Sequence, residues 1–244
     1  WAGGKYSLIE DINAKLPEAK KLIEPFVGAG SVFLNTNYSK YLLNDINPDL
    51  INLYNIVKHQ STDYITDSAK LFTPAYNDEQ RYYVMRQKFN DSEDIYERAV
   101  YFLYLNRHGY NGLCRYNNSG KFNVPFGRYK APYFPEKELL YFAQKSQLAT
   151  FTCDSFEKVF ARARKGSVIY CDPPYAPISK TAMFNSYAAG GFTLDNQLKL
   201  ASLARRTGHT RDIPVLVSNH DTEFTRDIYQ GAEMTKLQVS RFIS

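Results

Sequence analysis

Cysteine and histidine are scarce in this chain, and those present are scattered. Cys114, Cys153 and Cys171 form no CxxC pair and no regular framework. An odd count of this kind is the pattern of a reducing compartment, so the expected location is cytoplasmic, the bacterial cytoplasm or nucleoid. Four histidines stand apart from one another, so no zinc site and no other metal site is predicted. No apolar run approaches the roughly 18 residues that suggest a membrane span, and no stretch is patterned as a signal peptide. Internal repeats and low-complexity tracts are also missing. One absence is local: residues 98–135 contain neither Asp nor Glu.

What is present fits an enzyme-sized α/β chain. The 244 residues, 44% of them apolar, suffice for one large domain or one domain carrying a substantial insertion. The net charge of +5 permits a nucleic-acid partner without requiring one. "KKLIEPF" (20–26) reads as a strand, "VGAG" as a tight turn and "SVFLN" as a helix start with Ser31 near its cap. "KYLLNDI" (40–46) reads as a second strand. The helix after it has Asn47 at the cap, Pro48 in the first helical position and Asp49 in the first turn. This order begins a doubly wound, mostly parallel sheet. Residues 60–105 read as helical. "CRYNNSGKFNVPF" reads as a β-hairpin turning at "NNSG". The α/β pattern then resumes: a strand within 148–156, a helix over 155–164, the apolar strand of "GSVIYCDPPY", and a helix capped by Thr193. A buried strand in "IPVLVSNHD", the helix "TEFTRDIYQ" and a last strand, "MTKLQVSRFIS", close the chain. The predicted organisation is a catalytic domain over 1–58 and 144–244, with a recognition domain at 59–143 whose hairpin lies near 110–130.

Two strand ends carry the chemistry. After the first, the Gly28-x-Gly30 turn leaves room for a cofactor. It is no full GxGxxG fingerprint, because Phe33 fills the third position, and a plain turn is the alternative. Asp45 follows the next strand, where a carboxylate can accept both hydroxyls of a ribose; a helix-flanking aspartate is the bland alternative. At the second site, "CDPPY", the prolines fix the backbone and lack N–H groups. Asp172 and the Pro173 carbonyl could each accept one hydrogen of the exocyclic amine on a flat base, with Tyr175 stacked on its face. Alone, the motif also fits a rigid turn with a capping aspartate.

In order, "WAGGK" (1–5), "EPFVGAGSVF" (24–33), "LNDIN" (43–47), "LNRHGYNGLCRYN" (105–117), "KFNVPFGRYKAPYF" (121–134) and "VIYCDPPYAP" (168–177) resemble the Dam-type DNA adenine-N6 methyltransferases along nearly the whole chain. The resemblance implies the S-adenosylmethionine-dependent methyltransferase fold and methyl transfer from that cofactor, with S-adenosylhomocysteine as product. The target would be N6 of adenine in double-stranded DNA at GATC. It assigns cofactor binding to Trp1, Ala2, Gly3, Lys5, Pro25, Phe26, Gly28, Gly30, Ser31, Asp45, Asp154 and Asp172. Trp1 to Lys5 would close over the methionine end, and Asp154 would meet the adenine amine; Phe156 is a weaker candidate there. It places a guanine-contacting lysine immediately before Trp1, where this chain begins. Further residues are also expected after Ser244.

The catalytic residues expected are Asp172, Pro173, Pro174 and Tyr175. The adenine amine is a poor nucleophile because its lone pair is delocalised; acceptors for both hydrogens favour a pyramidal nitrogen that attacks in line. The base must leave the duplex stack, at a cost of a few kcal/mol. Residues 98–135 carry Arg98, Arg107, Arg115, Lys121, Arg128 and Lys130 among ten tyrosines and phenylalanines, the interleaving of a DNA-facing surface. By the resemblance, Tyr110 and Asn111 act at the displaced base, Leu113 and Pro125 touch bases, and Arg115 reads guanine through O6 and N7. Arg107, Asn123, Arg128, Tyr129 and Lys130 complete the predicted DNA-binding set. "ARARK" (161–165) reads chiefly as a solvated helix end. No obligate protein partner is evident, and a monomer is expected. The competing readings are a methyltransferase of the same fold acting on RNA or another amine or amide, a DNA-binding protein that has lost catalysis, and a nicotinamide enzyme. Asp172 where amide-modifying enzymes commonly place asparagine, intact Tyr175 and Asp45, and Phe33 argue against them in turn. Bacterial or phage origin, and a role in mismatch repair, replication timing or nuclease protection, stay open.

Overall fold

Short apolar runs alternating with amphipathic stretches build a parallel sheet with flanking helices. In the computed structural model, residues 5–176 and 191–238 are described. The strands are β1 (Lys21–Glu24), β2 (Lys40–Asn44), β3 (Ala149–Thr152), β4 (Ser167–Cys171) and β5 (Val215–Val217). They form one five-stranded parallel sheet in the order β3-β2-β1-β4-β5. Leu22 pairs with Tyr41 on one side and Val168 on the other, and Cys171 pairs with Val217. Leu22, Ile23, Val168 and Ile169 are fully buried, as expected of central parallel strands covered on both faces.

The chain groups into two compact units. One contains residues 5–27, 35–44, 154–176 and 191–238, hence β1, β2, β4 and β5. Its core gathers Ile23, Leu42, Phe156, Val159, Phe160, Ile169, Cys171 and Leu200. The helices here are α1 (Ile9–Lys15), α8 (Phe156–Arg162), α9 (Leu194–Arg211) and α10 (Glu223–Ile228). Thr193 caps α9 by accepting from the Asn196 amide, as expected from sequence. The other unit contains residues 28–34 and 45–153. It holds α2 (Ser31–Leu34), α3 (Pro48–His59), α4 (Ser61–Ala69), α5 (Glu79–Asp91), α6 (Ile95–His108) and α7 (Glu136–Lys145). Asn47 caps α3 through the Asp49 and Leu50 amides, with Pro48 in the first turn.

Some expectations need correction. β5 is half-buried rather than buried, because among the described residues it is an edge strand of the order, paired with β4 alone. The start of the expected last strand, Met234–Gln238, is irregular; its remainder lies outside the described residues. The hairpin is looser than a regular ladder. Tyr116 and Phe122 form an isolated antiparallel bridge, and Asn117 and Gly120 close the turn.

Candidate functional site

The chain runs outward from β1 to β2 and β3, then returns beside β1 as β4. Parallel strands end on one edge, and ligands of open α/β sheets bind outside the carboxyl ends where the order reverses. The residues that follow β1 and β4 are Pro25-Phe26 and Asp172-Pro173-Pro174-Tyr175.

Asp172 is mostly buried. Its Oδ2 lies 2.7 Å from Lys5 Nζ, and its Oδ1 is buried with no hydrogen-bond partner among the described residues. Burial pushes the Asp172 carboxyl above its ordinary value, and the Lys5 ammonium opposes that shift. Burial works against the Lys5 charge, but Asp172 and Tyr175 together outweigh it and hold Lys5 above the ordinary lysine value. The same ammonium sits 4.7 Å from the centre of the Tyr175 ring. A single cation thus touches both side chains singled out in "DPPY".

Three residues that the sequence reading did not assign brace this turn. Gln197 donates to the Pro174 carbonyl at 2.8 Å. Asn219 accepts from the Ala176 amide at 3.1 Å and donates to Gln197 at 2.9 Å. His220 Nδ1 lies 3.0 Å from the Ala176 carbonyl, which can only accept, so Nδ1 carries the proton. The His220 ring meets Tyr175 edge-on at 4.5 Å. "SNHD", directly after the apolar run of β5, was a usable signal for Asn219 and His220. Gln197 had none, since one glutamine in an amphipathic helix looks like a surface residue; here it is buried.

Asn44, the last residue of β2, ties this edge together. Its amide donates to the Pro25 and Asp154 carbonyls and accepts from the Asp154 amide. The Asp154 carboxylate is engaged by Arg162 at 2.7 Å and Lys158 at 3.7 Å. Phe26 packs on Phe156 and Phe192, and Phe156 is a core residue.

In the helical unit, Gly28 and Gly30 have φ of 46° and 69°, a left-handed turn that glycine adopts without a Cβ clash. Asp45 Oδ2 accepts from the Gly28 amide at 3.1 Å and Oδ1 from the Asn47 amide at 3.0 Å. Tyr54 on α3 donates to the Gly28 carbonyl. Burial raises the Asp45 carboxyl, and the Asn47, Gly28 and Ile46 amides counter it. A carboxylate has about four lone-pair directions, so these three amides do not exhaust it. Ser31 opens α2 and is buried, and Phe33 is fully buried against Phe142. Trp1, Ala2 and Gly3 lie outside the described residues.

The acid-free segment, also in the helical unit, exposes Tyr110, Asn111, Arg115, Pro125, Arg128, Tyr129 and Lys130. Asn111 has φ 52°, and its amide donates to the Tyr129 hydroxyl at 2.9 Å. Gly127 is needed there, because a Cβ would stand 2.4 Å from the Tyr129 ring. Arg115 is steered by Asn123, whose side-chain and backbone oxygens accept from it at 2.8 and 3.2 Å. Arg107 donates to the Tyr133 carbonyl, and Leu113 is half-buried. Arg98 departs from the DNA-facing expectation. It is turned inward onto Asp49, with Nε at 2.9 Å and Nη2 at 2.8 Å. Acids distant in sequence also approach Arg128, where Glu79 lies at 3.4 Å, and Lys121, where Asp91 lies at 3.9 Å.

A parallel α/β sheet with a rigid, proline-fixed carboxylate beside its topological switch point places a buried acceptor where open sheets of this kind bind ligands. Comparison with known proteins then gives the family. Residues 1–243 match the model of the D12 class N6 adenine-specific DNA methyltransferases. Over all 244 residues, the chain is 58% identical to the DNA adenine methylase of Vibrio cholerae serotype O1, covering 88% of that protein. It is 57% identical to that of Escherichia coli K12, covering 87%, and 55% identical to that of Serratia marcescens, covering 90%. The chain belongs to the D12 class and is a DNA adenine-N6 methyltransferase. Such an enzyme implies S-adenosylmethionine as methyl donor. No helix among the described residues is long and apolar enough to cross a membrane.

Proposed function

We propose that this enzyme moves the methyl group of S-adenosylmethionine to N6 of the adenine in double-stranded 5'-GATC-3', after that base has been flipped from the duplex. One observation carries the reading: the buried Asp172 Oδ1, without a hydrogen-bond partner among the described residues, in a turn held rigid by two prolines. A buried carboxylate oxygen left unpaired is costly, and an amine hydrogen is the partner it lacks. S-adenosylmethionine supplies the electrophilic methyl group when bound.

The chain's own residues do the rest. Lys5 holds Oδ2, which keeps Asp172 ionised and oriented, and Oδ1 accepts one N6 hydrogen. The Pro173 carbonyl accepts the other. With both hydrogens held, the nitrogen lone pair points out of the ring plane toward the methyl group. Bound S-adenosylmethionine would supply the methyl group to N6, and the strongly acidic ammonium would then lose its extra proton to solvent. Rate comes from positioning and from the fixed field of these acceptors. Tyr175 stacks on the flipped base. Asp45 takes the ribose hydroxyls with its remaining lone pairs, and the Gly28–Gly30 turn leaves room for the nucleoside.

Sequence reading falls to residues 59–143. Exposed Tyr110 and Asn111 stand at the step from which the base departs, and Arg115, steered by Asn123, reads guanine. The enzyme acts as a monomer, one strand of the palindrome at a time. The test is label transfer from S-adenosylmethionine to a duplex containing one GATC and to the same duplex with GTTC. Label only in the first is expected; label in both, or in neither, sinks the reading. Arg115→Ala is expected to cost about 1–3 kcal/mol of discrimination at a guanine. Equal weakening on every sequence would make Arg115 a phosphate contact instead.

A further inference from the structure

Arg115 is exposed, yet both of its chain neighbours are anchored. Successive side chains on extended backbone point to opposite sides. Cys114 and Tyr116 therefore turn to the side away from Arg115, and both meet the first turn of α3. Tyr116 Oη donates to Asp49 Oδ2 at 2.6 Å. Asn47 Nδ2 donates to Cys114 Sγ at 3.4 Å. Asp49 is 5% exposed, and its other oxygen takes both contacts from Arg98. Arg98 in turn donates Nη1 to the Phe89 and Ser92 carbonyls at 2.7 and 3.0 Å. The acceptor that Tyr116 uses is thereby fixed by α3, α5 and α6 together. Burial raises the Tyr116 phenol above its ordinary value and pushes the Cys114 thiol up to about 11. Both keep their protons at neutral pH, and Tyr116 acts as a donor.

The hairpin itself is a weak platform, with isolated bridges at Tyr116–Phe122 and Gly109–Phe126 in place of a regular ladder. A bidentate arginine–guanine contact requires the guanidinium to be held within about 0.5 Å of its productive place. Asn123 holds the guanidinium and donates its amide to the Arg115 carbonyl at 3.0 Å, while the strand that carries Arg115 meets a helix through Tyr116 and Cys114. We infer that Tyr116, with Asp49 as its acceptor, is a specificity-determining positioning residue that fixes the backbone from which Arg115 reads its base. Cys114 and Asn47 form the weaker second arm of the same latch. Asn47 also donates its amide to Asp45, so the latch and the candidate ribose carboxylate share one residue. The inference rests on Arg115 being the base reader.

The experiment measures kcat/KM for methyl transfer to a GATC duplex and to duplexes altered at each guanine, using wild type, Tyr116→Phe and Arg115→Ala. A bidentate pair corresponds to about 5- to 150-fold discrimination, and Tyr116→Phe is expected to lose roughly tenfold of it at the same guanine as Arg115→Ala. A merely structural tyrosine would lower kcat/KM by one factor on every duplex. That result, or an unchanged ratio, overturns the latch. If Arg115→Ala itself leaves discrimination intact, the base-reading assignment falls, and that outcome is distinct from failure of the latch alone. Should Tyr116→Phe not fold, the same ratio is read on Cys114→Ala, with about threefold loss expected for its weaker hydrogen bond and no loss overturning the inference.

Discussion

Replacing Arg98 by leucine strands a buried carboxylate. The Asp49 side chain is 6% exposed and that of Arg98 22%, so water reaches neither well. Removing one partner of a buried ion pair costs about 3–5 kcal/mol, because the remaining charge is left uncompensated. Tyr116 still donates to Asp49 Oδ2, which places Arg98→Leu at the lower end, about 3 kcal/mol. For a chain of this size, each kcal/mol moves the melting temperature by roughly 2–4 °C, so a fall of about 6–12 °C is expected. Thermal unfolding followed by circular dichroism measures it. Lys165→Ala is the control, since the Lys165–Asp212 pair lies in solvent with both side chains 81% exposed, and it should leave Tm unchanged. An Arg98→Leu protein that melts with wild type but binds DNA more weakly would refute the argument. It would return Arg98 to the DNA-facing surface.

Other expectations follow from the same geometry. With Lys5→Met, the main opposition to the burial that raises the Asp172 carboxyl is lost and only the weaker Tyr175 hydrogen bond remains. The acid limb of the pH–kcat/KM profile should then move to higher pH, and an unmoved limb, or one moved lower, would contradict Lys5 as the cation that keeps Asp172 ionised. Asn47→Ala removes the α3 cap and should cost about 1 kcal/mol, seen as a lower urea midpoint; an unchanged midpoint would show the cap to be dispensable. Gln197→Ala loosens the Pro174 carbonyl and should lower kcat by ~10- to 100-fold, as small misplacements of reacting groups do. The Kd for S-adenosylmethionine, measured by calorimetry, should stay the same, and parallel losses in both would make Gln197 a general structural residue.

How far the sequence could be read depended on the distance over which each feature is decided. The α3 start was legible because Asn47, Pro48 and Asp49 act on backbone within one turn. β4 and the turn after it were legible for the same reason, since an apolar run stopped by Asp-Pro-Pro has few alternatives. Arg98 was misread because its partner lies 49 positions away. A stretch without acids looked uncompensated until folding brought Asp49, Glu79 and Asp91 to it. β5 was read as buried from its composition, and only the strand order shows it to be an edge. The bracing of "DPPY" by Gln197, Asn219 and His220 links segments 23 to 44 residues apart; "SNHD" marked Asn219 and His220, but no local pattern named what they would brace.

The central claim is that Asp172 Oδ1 and the Pro173 carbonyl hold the amine of a flipped adenine while a methyl group is transferred to N6. It is tested most directly by digesting a GATC duplex to nucleosides after reaction with labelled S-adenosylmethionine, using wild type and Asp172→Ala. The account predicts label in N6-methyladenine alone with wild type and essentially none with Asp172→Ala. Label in another nucleoside, or undiminished N6-methyladenine from Asp172→Ala, would contradict it.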